Sequence, residues 1–436
     1  MSDLRANARA RATPRDAVLV ALAAIVVLVA VWSVLHHWVY GREQIIDTPV
    51  YQRYGEAMAA GQVPFRDFGL EYPPGALPVF VLPALGVATG ADSGYVGRYE
   101  WLMQLSAAVM LAATAGAALA LGASRRRLAL AVLAPAVLPL ALGSVVLSRF
   151  DWWPAAFLSV GLLALLAGRW RTGSAVLGLA FVTKIYPAVA LPVAIAAAWR
   201  ARGRGEAAKA AAWFAAATLA VLVPFIALSP QGVWDMVVRQ TTRPLQVESL
   251  GAGILLALHQ AAGVGVELRS GHGSQNLAGS LPDAIGGLQT VVQVLVAVGL
   301  WLGFARGPLD RERLVRGTAA AVCAFVALGK VLSPQYLIWL LPLVPLVGGR
   351  RGLRATGLLL GACILTQLWF PYRYWDLVAP LRHPGAEPDA LASWLVLARD
   401  LVLLALLWTL AGPELRDTAG RAARWPSRAL SSRRSR

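Results

Sequence analysis

The chain has 436 residues, of which 58% are hydrophobic and only 14% charged. A soluble domain runs nearer 45–50% apolar with about a quarter of its residues charged, so a water-soluble globule is excluded. The net charge of +17 raises nucleic acid as a partner, but the placement of the charge argues against it.

Seven short segments between or beyond the apolar runs hold 27 of the 40 Lys and Arg but 7 of the 23 Asp and Glu. They are residues 1–16, Arg125 to Arg127, Arg169 to Arg171, Arg200 to Lys209, Arg306 to Arg316, Arg350 to Arg354, and the tail from Pro413. The remaining chain carries 13 basic and 16 acidic residues. This is the positive-inside asymmetry, and it predicts cytoplasmic termini in a multi-pass protein of the cell membrane. Anionic lipid headgroups suffice as the partner of the basic tail. The expected domain organisation is a basic leader (1–16), one membrane domain (17–412) and a basic tail (413–436).

With roughly 20 apolar residues per crossing, the sequence predicts an all-α polytopic protein of about 12 transmembrane helices. They are placed near 17–39, 97–122, 128–147, 154–168, 173–183, 185–199, 211–229, 284–304, 317–331, 335–348, 355–371 and 393–412. The run from Gly173 to Trp199 has basic clusters at both ends, so it reads as a hairpin with Thr183-Lys184-Ile185-Tyr186-Pro187 at its outer tip. The Pro-rich stretch Pro73 to Gly90 is taken as re-entrant or lying along the outer surface. Cys323 and Cys363 fall inside apolar runs, where a free Cys acts as a small hydrophobe.

Polar motifs cluster on the outer side of this threading. The large first loop reads IIDTPVYQRYGEAMAAGQVPFRDFGLEYPPGALPVF from Ile45 to Phe80 and contributes Asp47, Tyr51, Arg66, Asp67 and Glu71. Later loops carry SRFDWWP with Arg149 and Asp151, TKIYP with Lys184, and RQTTRPLQVESLGAG with Arg243, Gln246 and Glu248. The last, GKVLSPQYLIW, carries Lys330, Gln335 and Tyr336. Carboxylates and cations on one face suit a reaction in which a carboxylate takes a proton while Arg and Lys hold a departing phosphate.

The order of these motifs, from Asp47 through PFRDF, EYPP, RFD, TKIYP and KxxSPQY to about Trp375, resembles the polyprenol-phosphate-mannose-dependent membrane mannosyltransferases, glycosyltransferase family 87 of the GT-C superfamily. The resemblance implies a GT-C fold with a large first extracytoplasmic loop. It also implies inverting transfer of a sugar, mannose ahead of arabinofuranose, from a polyprenyl-phosphate donor to a hydroxyl of a glycolipid or glycan acceptor. By position Asp47 matches the family's catalytic base, with Glu71 and Asp67 as rivals. Lys184, Lys330, Arg149 and Arg243 are candidates for the donor phosphate, while Tyr51, Arg66, Asp151, Gln246, Glu248, Gln335 and Tyr336 are candidates for substrate contact.

Each residue also has a plainer reading. Asp67 and Glu71 would pin the loop through backbone or Arg66, Lys184 and Lys330 would snorkel to the interface, and Arg149 would pair with Asp151. Arg399-Asp400 reads as an intramembrane ion pair, and the 16 Trp mostly as interface anchors, none assigned to sugar stacking. No cofactor or metal is expected, since cations can supply the charge and no Asp-x-Asp pair is present. The competing classes are an arabinofuranosyltransferase, a lipid or sugar transporter, and a non-catalytic assembly subunit. A single cavity beside Asp47, walled by Lys184 and Lys330, would favour the enzyme.

Overall fold

The computed structural model describes residues 11–39, 45–87, 90, 94–380 and 387–422, with side chains to residue 412. Most of the expected basic leader and tail, and the exit of the first helix at 40–44, lie outside the described residues.

The chain is mostly helical. Helix α1 (Pro14–Val34) starts at a capping box, in which Thr13 Oγ1 accepts from Asp16 N and Asp16 Oδ2 accepts from Thr13 N, with Pro14 at the first position. The first loop folds its own amphipathic helix, α2 (Thr48–Ala59). Next come α3 (Tyr95–Ala120), α4 (Arg125–Leu142), α5 (Trp152–Leu166), α6 (Trp170–Phe181), α7 (Leu191–Arg202) and α8 (Arg204–Leu228). The span from 229 to 284, expected to be loop, holds α9 (Pro230–Thr241), α10 (Leu250–Ala262) and a hairpin of β1 (Glu267–Gly271) and β2 (Ser274–Ala278). The hairpin corrects the all-α expectation, and among the described residues it is the only sheet. The chain continues through α11 (Ser280–Arg306), α12 (Arg311–Ala327), α13 (Gly349–Trp369) and α14 (Ala390–Ala422).

Among the described residues, six helical segments are long and apolar enough to cross a membrane: Pro14–Val39, Tyr95–Ala120, Arg204–Leu228, Ser280–Arg306, Gly349–Trp369 and Ala390–Gly412. The other expected crossings are shorter or interrupted. Helices α6 and α7 have 12 residues each, about 18 Å against a hydrocarbon core of about 30 Å. The 3₁₀ turn Tyr186–Ala190 leads into α7 and lengthens that arm. The stretch 74–84 is three short pieces, Pro74–Ala76, Leu77–Val81 and Leu82–Ala84.

The α-helix expected over 335–348 is not formed. Pro334–Leu340 is a 3₁₀ helix followed by turns, and almost every residue to Val347 is buried. Pro342 and Pro345 explain this, because each lacks an N–H and its ring clashes with the carbonyl four residues back.

Helix ends and the turns between them come together in two groups. At the basic end Arg125 meets Asp16 at 3.1 Å, Arg127 pairs with Glu312, and Arg311 Nη1 donates to Ala120 O at 2.7 Å. At the other end Gly75 N donates to Val182 O at 2.8 Å, and Gln246 N to Lys330 O at 2.9 Å. A Cβ on Gly75 would stand 2.7 Å from Val182 O, so glycine permits this docking of the first loop on the Lys184 turn.

Candidate functional site

Asp47 is the residue before α2, where its carbonyl accepts from Val50 N and its side chain makes no capping bond. The carboxylate is thereby left for two other partners. One turn on, the Tyr51 hydroxyl donates to Asp47 Oδ2 at 3.2 Å, and the buried Arg149 guanidinium pairs with Oδ1. Arg149 Nη2 also donates to Ile45 O at 3.3 Å, fixing the chain just ahead of Asp47. Tyr51 is held by rings, stacked on Phe80 at 4.8 Å and edge-on to Phe150 at 5.6 Å.

Asp151, the residue before α5, does not pair with Arg149 as expected. It accepts from Lys184 Nζ at 2.7 Å and from Trp339 Nε1 at 2.6 Å, and is fully buried. Two crossed pairs, Asp47 with Arg149 and Lys184 with Asp151, therefore share one turn of chain. The Lys184 ammonium also sits 4.7 Å from the Phe150 ring centroid, 5.3 Å from Trp339 and 5.5 Å from Tyr336. Burial pulls its basicity below the usual lysine range, and the Asp151 carboxylate opposes that pull.

Trp339 is stacked between Tyr186 at 3.9 Å and Tyr336 at 4.0 Å. The second contact follows from the local helix, since a 3₁₀ turn eclipses side chains three residues apart. An α-helix over 335–348 would have rotated Tyr336 and Trp339 away from this overlap. In sequence a Trp beside apolar residues reads as an interface anchor, which hides this role of Trp339.

These groups surround a cavity of about 240 Å³. Of the candidates, Asp47, Glu71, Lys184, Arg243, Lys330, Gln335 and Tyr336 line it. Five others form the layer behind: Tyr51, Arg149, Asp151, Gln246 and Glu248. Gln246 Nε2 donates to Glu248 Oε2 at 2.7 Å and to Ser333 Oγ at 2.9 Å, and Ser333 is in the wall. Glu248 is buried, which pushes its carboxyl up to about 8 against the opposing charges of Arg399 and Arg149. Arg399 Nη2 donates to Glu248 O at 2.6 Å while its Nε meets Asp400 at 2.6 Å, so the expected intramembrane pair also anchors this layer.

Arg66 and Asp67 are not brought to the cavity. They pair with each other at 2.8 Å, and Asp67 Oδ2 accepts from Val63 N at 2.7 Å. The Arg66 bond, then the Val63 bond, hold the Asp67 carboxyl down to about 2.

The wall also holds Gln240, His272, Gln293 and Trp339, none of them a candidate by sequence. His272 arrives on the tip of the β1–β2 hairpin, where His272 and Gly273 have φ of 55° and 67°, the conformation of a tight two-residue turn. A Cβ on Gly273 would lie 2.9 Å from Glu71 Oε2, so the turn closes directly over that carboxylate. The signal available in sequence was His-Gly between two short polar alternating runs.

Two cations of the wall, Lys330 and Arg243, make no ion pair with a carboxylate among the described residues, in contrast to Lys184 and Arg149. Among the described residues no three His, Cys, Asp or Glu side chains come together as metal ligands. No family model matches the chain, and no curated protein matches it in sequence.

Proposed function

We propose that the chain is an inverting membrane glycosyltransferase of GT-C type. It would move a sugar, mannose first among the choices, from a polyprenyl-phosphate donor to a hydroxyl of a glycolipid or glycan on the outer side of the cytoplasmic membrane. The observation that carries the reading is the division of charge in one cavity. A carboxylate, Asp47, is held from behind by Arg149 and Tyr51, while Lys330 and Arg243 stand in the same wall with no ion pair to a carboxylate among the described residues.

In this reading the acceptor oxygen attacks the anomeric carbon from the face opposite the phosphate and gives its proton to Asp47. The bond from that carbon to the phosphate oxygen breaks, and polyprenyl phosphate departs as an anion held by Lys330 and Arg243. No carboxylate among the described residues forms an ion pair with either cation, so both are available to phosphate. Lys184 is neutralised by Asp151, which suits it to holding the Tyr186–Trp339–Tyr336 stack better than to binding phosphate.

Twelve crossings follow if the Pro-broken stretch 334–347 spans the bilayer inside the bundle, where its burial hides the irregular backbone from lipid. The cavity then opens on the outer side, and the basic end faces the cytoplasm. A transporter would place its charged groups near the midplane with access from both sides; here the charged groups of the wall, Asp47, Glu71, Lys184, Arg243 and Lys330, all lie in turns and loops beyond the helix ends.

The test is mass spectrometry of envelope glycolipids from a deletion strain, together with transfer of labelled mannose from polyprenyl-phosphate-mannose by the purified chain. A truncated glycolipid and transfer in vitro support the reading. An unchanged lipid profile and no donor consumption would overturn it.

A further inference from the structure

Helices α4 and α13 both begin at the basic end, side by side. Arg127 Nη2 of α4 donates to Leu346 O at 2.6 Å, and a Cβ on Gly348, just ahead of α13, would lie 2.9 Å from the Arg127 guanidinium carbon. From that shared start they run in the same direction and pack together. Between them lies an apolar groove of about 440 Å³, walled on α4 by Ala134, Val137 and Ala141 and on α13 by Thr356, Gly357 and Leu360. The small residues hollow the surface, and a Cβ on Gly357 would meet no atom within 4 Å.

The same helical stripes lead down to arginines. On α4 the sequence of positions is Arg126, Leu130, Ala134, Val137 and Ala141; on α13 it is Arg350, Leu353, Gly357 and Leu360. These spacings of three and four place each arginine on the face that carries the groove. The two helices hold six arginines and no Asp or Glu. Arg125 and Arg127 are already paired with Asp16 and Glu312, whereas the exposed Arg126, Arg350 and Arg354 make no ion pair with a described residue. Ala134 is eight residues above Arg126, about 12 Å along the axis. An acyl chain hanging from a phosphate at the arginines would reach the groove at that depth.

We infer that this face is a binding site for one anionic phospholipid, its phosphate held by Arg126, Arg350 and Arg354 and an acyl chain lying in the groove between α4 and α13. Charge complementarity selects the anionic headgroup, and the depth of the groove selects a lipid over a soluble phosphate. The inference rests on the membrane reading of the chain and is independent of the sugar-transfer reading.

The experiment is native mass spectrometry of the purified full chain in mild detergent, titrated with phosphatidylglycerol or phosphatidylcholine of the same acyl chains. Wild type should retain one phosphatidylglycerol in preference to phosphatidylcholine. Each arginine near a membrane surface contributes about 1 kcal/mol, a factor of about five. Arg126→Gln with Arg350→Gln should therefore lower that preference by about 25-fold. Gly357→Leu, which fills open space, should lower retention of either lipid with the thermal midpoint unchanged. The pair Arg202→Gln and Arg204→Gln, an equal loss of charge elsewhere at the basic end, should change nothing. Equal retention of the two lipids by wild type, or an equal loss in the Arg202/Arg204 pair, would overturn the site.

Discussion

Arg149 and Asp151 stand two residues apart and do not pair with each other: Arg149 closes on Asp47, and Asp151 on Lys184. The turn between α4 and α5 thus ties the first loop to one side and the Lys184 turn to the other. Cations that look alike in sequence consequently have different partners, and different consequences when removed.

Lys184→Met should leave Asp151 buried without its cation, a loss of about 3–5 kcal/mol for a broken buried pair. Thermal midpoint and yield in detergent should fall, and adding Asp151→Asn should recover part of the loss. Lys330→Ala and Arg243→Ala should keep the wild-type midpoint yet raise the donor KM about tenfold or more, the worth of a charge-assisted hydrogen bond. If Lys184→Met keeps full stability while Lys330→Ala and Arg243→Ala leave donor use unchanged, the division of roles is wrong.

Asp47→Asn retains the shape of the carboxylate and its capacity to accept from Tyr51, but removes its basicity. Turnover should fall by about 10²–10⁴, the usual contribution of a positioned base, with donor binding preserved. Glu71→Gln, under the hairpin tip, should lose less. Single-turnover rates of purified variants decide between them, and an Asp47→Asn enzyme with more than about a tenth of wild-type rate would transfer the assignment to Glu71.

The Glu248 carboxyl has an ordinary value of 4.5 and is pushed up to about 8 in the fold. Its folded value is raised, so its contribution to stability is fully present below about 4.5 and is lost as pH rises through about 8. Glu248→Gln mimics the protonated form. Its apparent unfolding midpoint should depend less on pH between 5 and 8 than that of wild type, approaching the wild-type value at the acid end. Parallel pH profiles for the two proteins would show that Glu248 does not titrate in this window.

Orientation can be read by labelling single cysteines in intact cells. Gln62 and Ser270 are exposed at the cavity end and Pro308 is exposed at the basic end. Cysteine at the first two should react with an impermeant maleimide from outside, and cysteine at Pro308 should react only after permeabilisation. The reverse pattern would invert the threading.

The membrane character of the chain was legible in composition, because 58% hydrophobic residues cannot be buried in a fold that leaves its surface to water. The start of α1 was also local, since Thr13, Pro14 and Asp16 satisfy one another within four residues. The motifs of the first loop and of 329–339 come together in the fold: seven of the fourteen candidate side chains line one cavity, and five more stand behind its wall. Tertiary structure decided which carboxylate meets which cation. Asp151 takes one partner 33 residues away and another 188 away, distances over which sequence spacing carries no geometry. It also decided that 334–347 is a Pro-broken path and not an α-helix, a choice tolerable only where neighbouring helices bury the irregular backbone. The stack of Tyr336 on Trp339, and with it the floor of the cavity, exists because of that choice.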